Sequence, residues 1–407
     1  MRASRLGLAL VSALLLAACT GNTGDGGGPG GPDGTAPSPG DSAAAEEVAG
    51  FEVDEIAGGF THPWDVGFLP DGRLLVTERP GRITLLGSGE PGARATEVAA
   101  DLDDVYAEGE GGLMGIAVHP DFAESREFTT CQTHGPGGQP ADVRLVTWRL
   151  SANGTRAEHV RDLVTGLPLN PSGRHSGCRP AIGPDGELLV GTGDSADPHV
   201  PQDRGSLGGS MLRVDLGTGQ GLPDNPFADS GDADERRIAS YGHRNIQGVA
   251  VHPDTGQVLI SEHGPAVADE INLLELGGNY GWDPGQGGTV DSYDENVPMT
   301  DLERYPDAVP ALWDTGDDTE AICGAAVLDG RQWGRWDGAL AVAALRGEKL
   351  LLFGLDAGAG VTEVAVPEEL DGTHGRLRAA RTGPEGALYI TTTNGDDDTV
   401  LRVRPRS

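Results

Sequence analysis

Apolar residues in this chain come in short runs bounded by turns, and no apolar stripe of helical spacing persists beyond two turns. One pattern, a turn set against an alternating or apolar run, recurs six times. Leu69-Pro70-Asp71-Gly72 leads into Arg73–Thr77, and His119-Pro120-Asp121-Phe122 follows Gly115–Val118. Gly183-Pro184-Asp185-Gly186 leads into Glu187–Thr192, and His252-Pro253-Asp254 into Gln257–Ser261. Trp336-Asp337-Gly338 leads into Ala339–Ala344, and Gly383-Pro384-Glu385-Gly386 into Ala387–Thr391. Pro presets φ, Asp bonds its own backbone and Gly accepts positive φ, so Pro-Asp-Gly makes a tight turn between strands. Each interval has room for about four short strands and their loops, as in a propeller blade. The count predicts an all-β chain folded as a six-bladed β-propeller. A sandwich needs fewer such units, and a solenoid keeps a stricter period.

The ends of the chain change the picture first. Arg2 and Arg5, the apolar Leu6–Leu16 and the small residues before Cys19 read as a signal peptide, too short to span a membrane as a helix. Residues 1–19 resemble a bacterial lipoprotein signal, with Cys19 as the lipidated mature N-terminus. Residues 20–48 are Gly, Pro, Asp, Ser and Ala with little to bury, which predicts a flexible tether. Residues 49–407 then form the propeller. The expected location is the outer face of the cell membrane, held there only through the lipid. In that oxidising setting Cys131 and Cys178 are the favoured disulfide, with Cys323 left as a buried thiol.

Composition narrows the partners. Of 407 residues, 63 are acidic and 29 are Lys or Arg, a formal net charge of −34. Such a surface repels phosphate backbones, so nucleic acid is not expected as a partner. The 65 glycines and 28 prolines agree with many short elements. There is no Walker loop, HExxH, paired CxxC or Gly-x-Ser-x-Gly elbow.

Candidate chemistry falls where strands end. His175, between Gly173-Arg174 and Ser176-Gly177, is an accessible imidazole suited to general base work, and Asp194 one strand later could orient it. Tyr241–Trp282 is unusually dense in polar groups. In it, Arg244 and Asn245 offer a cation and an amide, and Glu262-His263-Gly264-Pro265 turns carbonyl oxygens outward as hard ligands suited to Ca2+. Asp269 and Glu270 add carboxylates, although a surface salt-bridge cluster explains the same residues. The glycines around Glu110 fit a close backbone approach to a ligand or a plain tight turn. Arg346 follows a very apolar strand. Arg376 and Arg378 alternate along an extended segment, which points them the same way to grip carboxylates; simple pairing with Asp or Glu is the competing reading.

Several segments then match one family in order: Thr61-His62-Pro63-Trp64-Asp65 with Leu69–Arg79, Gly111–Phe122 (GGLMGIAVHPDF), Tyr241–Gly248 (YGHRNIQG), Ser261–Pro265 (SEHGP), Asp269–Asn272 (DEIN) and Gly277–Trp282 (GGNYGW). From about Phe51 to Arg404 the chain resembles the soluble glucose/sorbosone dehydrogenases, which depend on pyrroloquinoline quinone (PQQ). The resemblance implies a six-bladed propeller that oxidises aldose sugars to lactones, with hydride passing to PQQ. It implies that His175 is the base, that Asp194 holds its imidazole, and that Arg244 and Asn245 contact the quinone. It implies that Gly264 and Pro265 hold a Ca2+ by their carbonyls, and that Glu270 with the Tyr280 carbonyl holds a second, structural Ca2+. It further implies that Arg376 and Arg378 face the PQQ carboxylates, with Glu110, His263 and Arg346 also lining the cofactor. Glu110, His263, Arg346 and Cys178 depart from common family residues, which bears on substrate preference and cofactor affinity. A propeller without redox chemistry, acting as a surface binding module, is the alternative; a lactone hydrolase is a third reading. The sugar, the electron acceptor and the oligomeric state are not legible.

Overall fold

The structure is a computed structural model that describes residues 48–406; the signal peptide, Cys19 and all but the last residue of the expected tether lie outside the described residues. Six four-stranded antiparallel sheets are arranged as a β-propeller. Blade 1 is built from Pro63–Phe68, Leu74–Glu78, Arg82–Leu86 and Ala95–Glu97. Blade 2 comprises Leu113–Val118, Glu127–His134, Asp142–Leu150 and Ala157–Leu167, and blade 3 Arg179–Ile182, Leu188–Gly191, Ser210–Val214 and Ile238–Tyr241. Blade 4 comprises Ile246–Val251, Val258–Glu262, Glu270–Leu273 and Trp313–Asp314, and blade 5 Ile322–Val327, Leu340–Ala344, Leu350–Leu355 and Val361–Ala365. Blade 6 combines Leu377–Thr382, Leu388–Thr392 and Asp398–Pro405 with the N-terminal strand Phe51–Phe60. The six turn signals are the connections between first and second strands, one per blade. The turn pattern carries no sign of the closing strand from the chain's start.

The first strands touch their neighbours all the way round and line a central channel. They are buried almost throughout, whereas outer strands such as Ala95–Glu97 and Val361–Ala365 are largely exposed. An apolar cluster fills each gap between adjacent blades: Ile83, Phe128 and Trp148 between blades 1 and 2, and Trp333, Trp336 and Leu377 between blades 5 and 6. Each buried aromatic of this kind removes on the order of 150–250 Å² from water, which is what holds blades with few interblade strand hydrogen bonds together. Cys131 in blade 2 is bonded to Cys178 at the entry to blade 3, with 6.1 Å between Cα atoms, and Cys323 is a buried free thiol.

Antiparallel pairing places the start of every first strand and the end of every second strand on one face, opposite the Pro-Asp-Gly turns. His175, Asp194, Arg244, Asn245, His263, Arg346 and Arg376 all stand at such ends. Tyr241–Trp282 thus spans two blades: Tyr241 ends the outer strand of blade 3, and the rest begins with blade 4. After Leu273 the chain climbs along that outer strand, with Asn279 bridged to Tyr241, and delivers Trp282 to the same face.

Candidate active site

His175 and Asp194 are both buried, and the imidazole Nδ1 lies 2.7 Å from Asp194 Oδ1. Asp194 Oδ1 also accepts the backbone N–H of Ala196 at 2.8 Å; Oδ2 accepts Trp282 Nε1–H at 2.9 Å and the Tyr293 hydroxyl at 2.5 Å. Each carboxylate oxygen thus receives two donors. Because the carboxylate is the acceptor throughout, Nδ1 carries the imidazole hydrogen and Nε2 keeps the free lone pair. No protein group among the described residues bonds Nε2. A proton taken up there is stabilised through the ring by Asp194, the arrangement a general base requires.

Glycines let the two backbones meet. A Cβ on Gly193 would lie 2.0 Å from the His175 carbonyl oxygen and 2.7 Å from Asn245 Oδ1. One on Gly173, whose φ is +74°, would lie 1.7 Å from the Glu108 carbonyl oxygen. Gly193→Ala must push His175 away from Asp194. Its expected outcome is a loss of about 1–3 kcal/mol by denaturant titration, the usual cost of overpacking.

Blade 4 supplies the next pair. The buried Glu262 accepts the backbone N–H of Arg244 and pairs with His243 Nδ1 at 2.7 Å, which fixes the strand entry. Arg244 donates through NH1 to the His263 carbonyl (2.8 Å) and through NH2 to Glu295 Oε1 (2.8 Å). Burial disfavours its charge, but the oxygens of Tyr293, Asp194 and Glu295 outweigh that and hold the guanidinium above its ordinary range. The Asn245 amide donates to Glu110 Oε2 at 3.0 Å and accepts the Gly177 N–H at 3.1 Å. Glu110 is therefore tied to the loop that carries His175. His263 is half-buried, with Nδ1 2.6 Å from the Gly264 carbonyl and 3.4 Å from Asp269.

A second group stands beside Glu110. Arg79 donates to the Gly109 carbonyl at 2.8 Å and feels the charges of Glu108, Glu110, Arg376 and Arg378. Burial, with Arg378 and Arg376 nearby, holds its guanidinium below the ordinary range. Arg378 is buried, its guanidinium 5.4 Å from the Trp64 ring and 3.7 Å from Cys323 Sγ. Among the described residues, Arg79, Arg376 and Arg378 form no ion pair with a carboxylate. Arg376 and Arg378 do not share a strand face as their alternation suggests. The strand begins at Leu377, its register slips between Leu377 and Ala379, and Arg376 is exposed while Arg378 turns inward. Arg346 stands exposed, 3.4 Å from Asp318.

Two places suit hard cations. A Cβ on Gly264 would lie 2.2 Å from the Val267 carbonyl oxygen and 2.7 Å from that of Ala268. The 264–268 turn is thus a carbonyl-lined cradle, and its Gly264 N–H is held by Asp269 Oδ1 at 2.8 Å. Neutral oxygens backed by a carboxylate fit Ca2+. The other place is Glu270, which is buried and accepts from Asn272 Nδ2 (3.2 Å) and Thr300 Oγ1 (3.1 Å). Burial and the nearby Glu262 push its carboxyl up to about 8. Asn272 Oδ1 beside it is buried with no hydrogen-bond partner. An acceptor without a donor on an amide that bonds a buried carboxylate fits a cation. Tyr280 stacks on His243 at 4.1 Å between ring centroids. Among the described residues no cluster of three His, Cys, Asp or Glu side chains forms a metal site by itself, so either place relies on carbonyl or amide oxygens.

Arg79, Trp282, Tyr293 and Glu295 were not singled out from the sequence. Arg79 directly follows the second strand of blade 1 as His263 directly follows that of blade 4, so blade register was a usable signal. Tyr293 and Glu295 lie in an irregular segment with none.

A propeller whose one face joins an oriented imidazole to unpaired arginines has the build of a cofactor-dependent enzyme. The chain belongs to the glucose/sorbosone dehydrogenase family, whose model (Glucose / Sorbosone dehydrogenase) matches residues 60–402. It is 30% identical over 369 residues to the aldose sugar dehydrogenase YliI of Escherichia coli (strain K12), covering 90% of this chain and 96% of that one. A solved glucose dehydrogenase aligns with a TM-score of 0.76 at 32% identity, over 88% of this chain and all (100%) of that one. The PQQ-bound aldose sugar dehydrogenase of Streptomyces coelicolor aligns with a TM-score of 0.67 at 30% identity, over 88% and 99% of the two chains. The family and these relatives make the protein an oxidoreductase of the sugar dehydrogenase type.

Proposed function

We propose that this protein is a PQQ- and Ca2+-dependent aldose dehydrogenase that oxidises the anomeric carbon to a lactone, exported and lipid-anchored through Cys19. The observation that carries this reading is the arginine group Arg79, Arg376 and Arg378. In a chain with 63 acidic residues and 29 Lys or Arg, arginines without carboxylate partners point to an anionic ligand, and PQQ is a tricarboxylate. When bound, PQQ would supply the hydride acceptor, and Ca2+ in the 264–268 cradle would supply Lewis acidity. The chain does the rest. His175 Nε2 takes the proton of the anomeric hydroxyl while Asp194 holds the ring and the developing charge. Arg244 and Asn245, fixed by Glu262, Glu295 and Gly177, present donors to an electron-rich oxygen. The arginine group binds and orients carboxylates. His263 and Arg346 sit at the margin and bear on which sugar enters. The electron acceptor is a separate partner.

Reconstituting the protein with PQQ and Ca2+ and following dye reduction with a panel of aldoses tests this. A quinone spectrum, a raised melting temperature and sugar-dependent turnover are expected. PQQ that neither binds nor shifts melting would identify a binding module instead.

The second cation place gives a separate expectation. Without a cation, the folded state holds a proton on Glu270 more tightly than the unfolded chain does. The contribution of Glu270 to stability is then fully present below the ordinary value of 4.5 and is lost as pH rises through about 8. Chelator-treated protein should show this decline in melting temperature, and added Ca2+ should abolish it. Glu270→Gln should remove both the decline and the Ca2+ response.

A further inference from the structure

Between the third and fourth strands of blade 4 the chain makes a long excursion, and residues 283–301 of it lie against the site. We propose that this segment is a strap that completes the reaction centre, with Tyr293 the positioning residue for the His175–Asp194 pair and Glu295 the positioning residue for Arg244. The inference rests on the function proposed above, adds Tyr293 to its mechanism and extends the part of Glu295 in it.

Tyr293 reaches both members of the pair. Its hydroxyl is 2.5 Å from Asp194 Oδ2 and 3.2 Å from His175 Nδ1. Its ring lies 5.6 Å from the His175 ring and 6.0 Å from that of Trp282, and Arg174 stands 5.8 Å from its centroid. The phenol fills the last acceptor position on Asp194, and its ring closes the side of the imidazole. Burial and the Asp194 charge keep it protonated, so it is a fixed donor. Without it Asp194 loses one of two donors on Oδ2, and the imidazole loses a wall.

Glu295 does the same for the cation. Its Oε1 accepts Arg244 NH2 at 2.8 Å and Arg174 NH2 at 3.0 Å. Burial opposes its charge, but the Arg244 hydrogen bond and the charges of Arg244, Arg174 and His175 hold the carboxyl below its usual range. The strap spans from the base to the arginine in two residues.

The strap is itself anchored at both ends. Asp283 accepts from the Gly287 N–H (2.6 Å) and the Tyr305 hydroxyl (2.8 Å), with Arg304 at 3.4 Å. At the far end Thr300 donates to Glu270 Oε1 at 3.1 Å. One foot of the strap therefore stands on the second cation place.

Tyr293→Phe keeps the ring and removes only the hydroxyl. In the full chain loaded with PQQ and Ca2+, kcat should fall on the order of tenfold, the scale of loss when an orienting hydrogen bond is removed, with the sugar KM nearly unchanged. PQQ titration and melting temperature should match the parent. In cofactor-free protein, the downfield proton resonance of the His175 Nδ1–H should shift or broaden in Tyr293→Phe. Glu295→Gln, which retains an acceptor for Arg244, should cost less in kcat than Glu295→Ala. An unchanged kcat with an unchanged resonance overturns the proposal, and so does a loss shared by kcat, KM and melting temperature, which marks a purely structural role. If the parent protein turns over no sugar, the functional reading fails. The resonance then decides the strap alone: a shift upholds it, and no shift overturns it.

Discussion

His175→Ala is expected to lower kcat about a thousandfold, within the range that general acid–base groups contribute, while PQQ binding stays intact. In the proposed reaction Nε2 is the lone pair that takes the anomeric proton; Asp194 already accepts four donors and cannot replace it. Steady-state kinetics and PQQ titration on the same preparation check both halves. A loss confined to cofactor affinity would place the base elsewhere. Asp194→Asn leaves a group that can donate where Nδ1–H also donates, so it should disorder the ring and lower kcat with little change in folding.

Asp65→Ala should be the most destabilising single change in the channel, on the order of 3–5 kcal/mol, because it strands buried charge. Asp65 is fully buried and holds two arginines from other blades. Arg179 NH1 of blade 3 is 2.8 Å away, and Arg381 of blade 6 makes a bidentate contact at 2.9 and 2.6 Å. It also accepts the Ile116 N–H of blade 2 at 3.1 Å, so one carboxylate ties four blades. Urea unfolding should show the loss, and a midpoint unchanged by the substitution would contradict it. Burial raises the Asp65 carboxyl, but Arg179 and Arg381 outweigh that and leave it below the ordinary range. Its contribution is therefore present above the unfolded value and disappears as pH falls through the folded one. Acid unfolding of the parent should include this step, and the variant should lack it.

The architecture was legible because second strands are apolar and each is introduced by a turn of fixed chemistry. Leu188–Gly191 and Leu340–Ala344 are buried throughout and stand out in the sequence. Outer strands were not legible. Ala95–Glu97 and Trp313–Asp314 are short and exposed, and nothing in their composition separates them from loop. The pairing of His175 with Asp194 could be anticipated, since both flank one blade's first hairpin. The arginine group could be anticipated only in part. Alternation suggested a shared strand face for Arg376 and Arg378, but a bulge redirects Arg378, and Arg79 joins from a blade far away in sequence. Tyr293 and Glu295 were invisible because tertiary packing alone makes an irregular segment specific. Cys19 and the tether lie outside the described residues, so the anchor rests on sequence.

The closing blade changes what the ends of this chain are. Phe51 pairs with Pro405, and the Arg406 N–H reaches the Gly50 carbonyl at 2.9 Å. Where the polypeptide begins is thus a matter of connectivity rather than of architecture. Joining residues 50 and 406 by a short linker would make the ring continuous. New termini could then be opened at the Asp71-Gly72 turn, which is exposed on the face away from the candidate site. A circular permutant of that kind would have blade 1 rather than blade 6 close the ring, with every site residue left in its own blade.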